Sequence, residues 1–170
     1  MSYKKIYQGK VIQLNLHDVE LPNGTQCELE VVRHPGGSAI VAMNARQEVC
    51  LLNQYRYVTD GWVWELPAGK HEPEDPPEIT AQRELQEEAG VTASQWRPLG
   101  RIYSSPGVFS EVIHLYLAQD LSADSIAHEA EEVINIHWLP LQEACEWALN
   151  GKLTDAKTII GLLRAQQHLK

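Results

Sequence analysis

The chain has 170 residues, with 14 Lys and Arg against 23 Asp and Glu, and a formal net charge of −9. That length suits one domain, 1–170, with a sizeable core. The acidic balance argues against a nucleic-acid partner or an anionic membrane surface, though not against a phosphate substrate, because a bound cation reverses local charge.

Extended segments come first. Tyr3 to Tyr7, Lys10 to Val19 and Gln26 to Arg33 alternate apolar and polar residues. Leu21-Pro22-Asn23-Gly24-Thr25 supplies a hairpin turn between the last two. Residues 1–36 thus read as an antiparallel hairpin extension, with too little apolar content for a core of its own. His34-Pro35-Gly36-Gly37 is a break. Ser38 to Met43 and Glu48 to Tyr55 are the strongest strands, and Trp62 to Leu66 is a short one. Lys70 to Pro77 reads as a loop. A helix then starts at Pro77 or Glu78 and ends at Gly90, with Ala81, Leu85 and Ala89 forming a stripe that packs on a sheet. Trp96 to Tyr103, Val112 to Ala118 and Val133 to Leu139 read as strands. Ser104 to Glu111 is a loop, and Asp120 to Glu132 an acidic connection. A helix from Pro140 to Leu149 and an amphipathic one from Asp155 to Leu169 close the chain. This mixed order predicts an α/β (α+β) sandwich with helices flanking a mixed sheet.

Cys27, Cys50 and Cys145 are odd in number and far apart, and suit neither a disulfide framework nor a metal site. Reduced thiols in a reducing cytoplasm are the expectation. No apolar run approaches a membrane span, and Met1 to Lys10 lacks a secretory apolar core.

The chemistry concentrates between Gly69 and Val91. Gly69-Lys70-His71-Glu72-Pro73-Glu74-Asp75 is followed, after seven residues, by Arg83-Glu84-Leu85-Gln86-Glu87-Glu88-Ala89-Gly90-Val91. Glu84, Glu87 and Glu88 stand at i, i+3 and i+4, on one helix face. Like charges at that spacing repel, so a cation is expected among them. Mg²⁺ prefers such oxygen ligands together with substrate phosphate. On spacing alone, a solvated helix face explains the three acids equally well.

This stretch resembles the Nudix box: glycine, five residues, glutamate, seven residues, then Arg-Glu-apolar-x-Glu-Glu-x-Gly-apolar. Every fixed position matches except Asp75, where the family has glutamate. Glu65-Leu66-Pro67-Ala68-Gly69-Lys70, the Ser105-Pro106-Gly107 loop and the closing Leu153-Thr154-Asp155-Ala156-Lys157-Thr158 look like the ADP-ribose or ADP-sugar pyrophosphatase branch. The resemblance implies a Nudix-type α/β/α sandwich with a mixed β-sheet. It also implies Mg²⁺ or Mn²⁺, and hydrolysis of a nucleoside diphosphate sugar to a nucleoside monophosphate and a sugar phosphate. It further implies a homodimer that exchanges N-terminal strands.

By resemblance the metal ligands are Glu84, Glu87, Glu88, the carbonyl of Ala68 and the late acid Glu132. The general base falls among Glu129, Glu131 and Glu132, and Glu88 shares in catalysis. Arg83 orients box carboxylates, with the shorter Asp75 as its partner. Arg56 contacts the diphosphate, Arg33 is a weaker candidate acting across a dimer, and Ser105 and Glu111 meet the ribose or sugar end. For Arg33 a surface role weighs slightly more. Other nucleotide substrates (a GDP-sugar, a dinucleoside polyphosphate) and a non-catalytic ADP-ribose sensor are the competing readings.

Overall fold

A computed structural model of the chain describes residues 3–127 and 133–169. Three strands open it: β1 (Tyr3–Gln8), β2 (Gln13–Glu20) and β3 (Gln26–Arg33), an antiparallel sheet in the order β1-β2-β3. The expected hairpin is β2 and β3, paired from Gln13↔Arg33 to Glu20↔Gln26. β1 adds a third strand along β2.

β4 (Gly37–Ala42), β7 (Ala68–Lys70), β8 (Val91–Tyr103) and β9 (Val112–Ala123) form a mixed sheet in the order β7-β4-β9-β8. Only β4 and β9 run parallel in it. β5 (Glu48–Arg56), β6 (Gly61–Glu65) and β10 (Ile134–Pro140) make an antiparallel sheet with β5 in the centre. The helices are α1 (Pro77–Ala89), α2 (Leu141–Leu149) and α3 (Ala156–His168).

β4 is buried along its whole length, and strand alternation then divides the core in two. Ile40, Ala42, Tyr116 and Ala118 meet Ala81, Leu85 and Ala89 of α1. Ala39, Val41, Leu115 and Leu117 meet Ala144 and Cys145 of α2 and Leu162 and Ala165 of α3. α1 therefore covers one face and α2 with α3 the other, which is the α/β/α sandwich expected from the sequence. α1 stops where Gly90 turns left-handed at φ 64°, and the Gly90 amide closes on the Gln86 carbonyl.

Three boundaries differ from the sequence reading. β8 begins at Val91 rather than Trp96, and β9 continues to Ala123 rather than Ala118. β8 is an edge strand, so polar Ser94, Gln95 and Arg97 on it face water and hide its alternation. An edge also tolerates Pro98. The third difference is β7: Ala68–Lys70, which the sequence reading leaves outside any strand, pairs with Gly37–Ala39.

The N-terminal sheet touches the rest of the fold through β3. Val32 forms a parallel bridge to Phe109, with Val32 N donating to Val108 O and Ser110 N to Val32 O. Tyr3, Ile6, Tyr7 and Leu29 on this sheet stay exposed.

Leu85 is fully buried between α1 and the mixed sheet. Leu85→Ala is expected to cost about 2–5 kcal/mol, read as a lower urea midpoint with an unchanged m-value.

Candidate active site

The turn after β6 brings the chain under α1. Glu88 Oε2 accepts the Ala68 amide at 2.7 Å. The Glu84 carboxylate lies directly against Gly69, where a Cβ would stand 1.9 Å from Glu84 Oε1. Only glycine permits that approach. Both acids are buried, with Glu84 7% and Glu88 3% exposed, while Glu87 stays half-exposed. All three line one cavity of about 550 Å³, together with Ala68 and Gly69.

Arg83 braces this face. Its guanidinium bonds Glu84 Oε1 at 2.8 Å and Glu87 Oε2 at 2.9 Å, and reaches the Lys70 carbonyl at 3.3 Å. Burial works against its charge, but Glu84 and Glu87 outweigh that and raise its pKa. The positive charge expected among the acids is thus partly the protein's own. Asp75 is not among the partners of Arg83; its backbone amide closes a turn on Glu72 instead.

A second part of the lining carries paired cations. Arg56 holds Glu65 in a two-point fork, Nε to Oε1 at 2.6 Å and Nη2 to Oε2 at 2.9 Å. Lys157 Nζ meets the same Oε2 at 2.5 Å and Asp155 Oδ2 at 3.1 Å. Burial alone would raise the pKa of Glu65, but the Arg56 hydrogen bonds and the Lys157 charge hold it down at about 2. Lys157 is likewise desolvated, and Asp155 and Glu65 together keep its pKa above the ordinary value. Arg56, Lys70 and Lys157 all face the cavity.

A third side comes from His34 and Glu111. His34 Nδ1 accepts the Gly36 amide at 3.1 Å and stands 3.3 Å from Glu111 Oε1. Burial lowers the His34 pKa, Glu111 opposes this and Lys70 adds to it. The neutral ring is the form that the Gly36 bond requires. Ser110 Oγ accepts the His34 amide at 3.0 Å and so fastens the loop that carries Glu111.

The donor set fits a hard divalent cation: three carboxylates and a backbone segment, all oxygen donors, on one cavity. Among the described residues, no three acidic, imidazole or thiol groups already converge tightly enough to enclose an ion. Water and substrate oxygens would complete its shell. Glu129, Glu131 and Glu132 lie outside the described residues.

A NUDIX domain model matches residues 33–160. The chain belongs to the NUDIX family. It is 37% identical over 160 residues to an ADP-ribose pyrophosphatase of Bacillus subtilis, covering 93% of this chain and 86% of that protein. It is also 37% identical over 171 residues to a methanol dehydrogenase activator of Bacillus methanolicus, covering 98% and 92%. A solved structure, an ADP compounds hydrolase, superposes with a TM-score of 0.85 at 20% identity, over 99% of this chain and 92% of the other. At that identity the likeness speaks for the fold.

Within this Nudix fold, Ala68, Glu84, Glu87, Glu88, Arg56 and Glu111 come together on one cavity. Arg33 is exposed at the end of β3 and does not line it. Ser105 is exposed too; its carbonyl accepts the Val108 and Phe109 amides, and Ser104 lines the cavity instead. Glu65, Asp155 and Lys157 were read from the sequence only as parts of motifs. Their signals were a lone acid closing the apolar run Trp62-Val63-Trp64, and the Asp155-x-x-Thr158 helix cap.

Gly69→Ala is expected to displace the Glu84 carboxylate and weaken Mg²⁺ or Mn²⁺ binding, measured by calorimetry, with little loss of helix content. A second expectation concerns acid. The Glu65 pKa is depressed from 4.5 to about 2, so its stabilising contribution is full above pH 4.5 and lost as pH falls toward 2. In Glu65→Gln the unfolding free energy should fall less steeply than in wild type across that window.

Proposed function

We propose that this Nudix hydrolase cleaves the diphosphate linkage of ADP-ribose or a related nucleoside diphosphate sugar, with Mg²⁺ or Mn²⁺. One observation carries the reading: the acidic face of α1 and the cations Arg56, Lys70 and Lys157 line the same cavity. A diphosphate with a bound divalent cation has matching charges of both signs. The similarity to a pyrophosphatase acting on ADP-ribose supports that substrate.

In this reading Glu84, Glu87, Glu88 and the Ala68 carbonyl hold the cation. The chemistry it supplies there is charge neutralisation on the diphosphate and acidification of an attacking water. Arg83 keeps Glu84 and Glu87 in place. Arg56 turns its remaining N–H donors toward the diphosphate oxygens. Glu111, on the loop that the Ser110 hydroxyl fastens to the His34 amide, accepts hydrogen bonds from hydroxyls of the sugar end. Glu129, Glu131 or Glu132 takes the proton of the attacking water. Arg33 and Ser105 act only through a second chain or a moved loop.

We further assign the N-terminal sheet, within a single domain 1–170, to a homodimer with exchanged strands. The exposed Tyr3, Ile6, Tyr7 and Leu29 support this, since such apolar surface is normally covered. A cytoplasmic location fits the free Cys27, Cys50 and Cys145, with the Cys50 thiol pushed up to about 12 by burial and Glu88. None of the described helices is long and apolar enough to cross a membrane.

The test is a panel of nucleoside diphosphate sugars with Mg²⁺ and product identification. AMP and ribose 5-phosphate are expected from ADP-ribose, and Glu84→Gln/Glu88→Gln should lower the rate by 10²-fold or more, on the order of losing about 3 kcal/mol of transition-state stabilisation. Equal rates in this variant would refute the metal-site reading, and light scattering that finds only monomer would refute the dimer.

A further inference from the structure

The Glu65–Lys157 pair is part of a closed ring that begins and ends on adjacent residues. Glu65 Oε2 accepts Lys157 Nζ, Lys157 pairs with Asp155 Oδ2, and Asp155 Oδ2 caps α3 by accepting Thr158 N at 3.0 Å and Thr158 Oγ1 at 2.6 Å. Thr158 Oγ1 in turn accepts the amide of Leu66 at 2.8 Å. The chain between Glu65 and Leu66 closes the circuit. Glu65, Leu66 and Thr158 are buried, so the Leu66–Thr158 bond is shielded from water, while Asp155 and Lys157 stay partly exposed on the cavity.

Two functional groups leave this ring. From Glu65 the fork reaches Arg56. A guanidinium has five N–H donors; Glu65 takes two, and Arg56 lines the cavity. From Leu66 the chain runs through Pro67, whose carbonyl accepts the Ile40 amide at 2.9 Å, to Ala68, whose amide binds Glu88. The same ring thus sets the origin of both cavity walls.

We propose that Glu65 and Lys157 are positioning residues: their ring fixes the rotamer of Arg56 and with it the binding of the diphosphate. The inference rests on the nucleoside diphosphate reading above. Fixing a long arginine in advance removes an ordering cost at binding. A two-point carboxylate fork does this better than a single contact. If the ring served folding alone, its loss would lower stability without passing through Arg56.

A double-mutant cycle on the full chain separates the two cases. The variants are Glu65→Gln, Arg56→Lys and the pair. The primary readout is the Kd of the non-hydrolysable α,β-methylene analogue of ADP-ribose with Mg²⁺, with KM and kcat for ADP-ribose alongside. Glu65→Gln is expected to raise Kd and KM by roughly tenfold, within the coupling range of one hydrogen-bonded network, and to change kcat less. In the Arg56→Lys background it should raise them little further. Additive effects, or an unchanged Kd in Glu65→Gln, overturn the proposal. If Glu65→Gln melts without a cooperative transition, Lys157→Met replaces it in the same cycle with the same criterion. A wild type that binds the analogue but releases no AMP from ADP-ribose overturns the hydrolase reading, while the Kd cycle still judges the ring.

Discussion

The site depends on one close approach, that of α1 to the turn after β6. The Glu84 carboxylate rests where a side chain at residue 69 would begin, and Glu88 holds the amide of Ala68. These contacts put buried carboxylates beside backbone. Burying an acid is costly unless it is hydrogen-bonded or paired, and both conditions are met: Arg83 pairs with Glu84, and Ala68 donates to Glu88. Helix, turn and cavity are therefore a single unit. Leu85 and Ala89, on the adjacent face of α1, anchor it in the core.

Charge is then distributed so that each wall is internally balanced yet keeps a face for a ligand. Arg83 offsets part of the acidic face and leaves Glu88 with a backbone donor. Elsewhere Glu65 and Asp155 offset Arg56 and Lys157. A buried carboxylate between two cations stays ionised far into acid, so this wall keeps its charge pattern over the whole neutral range. The net charge of −9 is a sum over the whole chain and says little about the cavity, which both cations and anions line.

Much of this was legible beforehand. The i, i+3, i+4 acids, the Gly90 stop and the Ala81-Leu85-Ala89 stripe are local patterns, and the structure keeps each of them. The loop residues were less legible. Ser105 and Ser104 are adjacent in sequence, and which one faces the cavity depends on how residues 104–111 dock against Val32 and His34. Asp75 stood at the box position expected to meet Arg83, but the arginine turned to acids on its own helix. Neighbouring turns of a helix bring such partners close, and a loop residue competes poorly with that.

The sequence alone carried the resemblance to the family in its box residues, and it determined the acidic face of α1 and the strands and helices apart from β7, because those follow from short-range spacing and hydrophobic period. Tertiary structure decided the rest. It showed that Glu65, Asp155 and Lys157, some 90 positions apart in the chain for the Glu65–Lys157 pair, close a ring beneath Arg56. It also exposed β8 as a long edge strand, and showed that the glycine of the box makes room for the Glu84 carboxylate. Such contacts arise when distant segments pack, and no local pattern of residues encodes which buried charge will meet which.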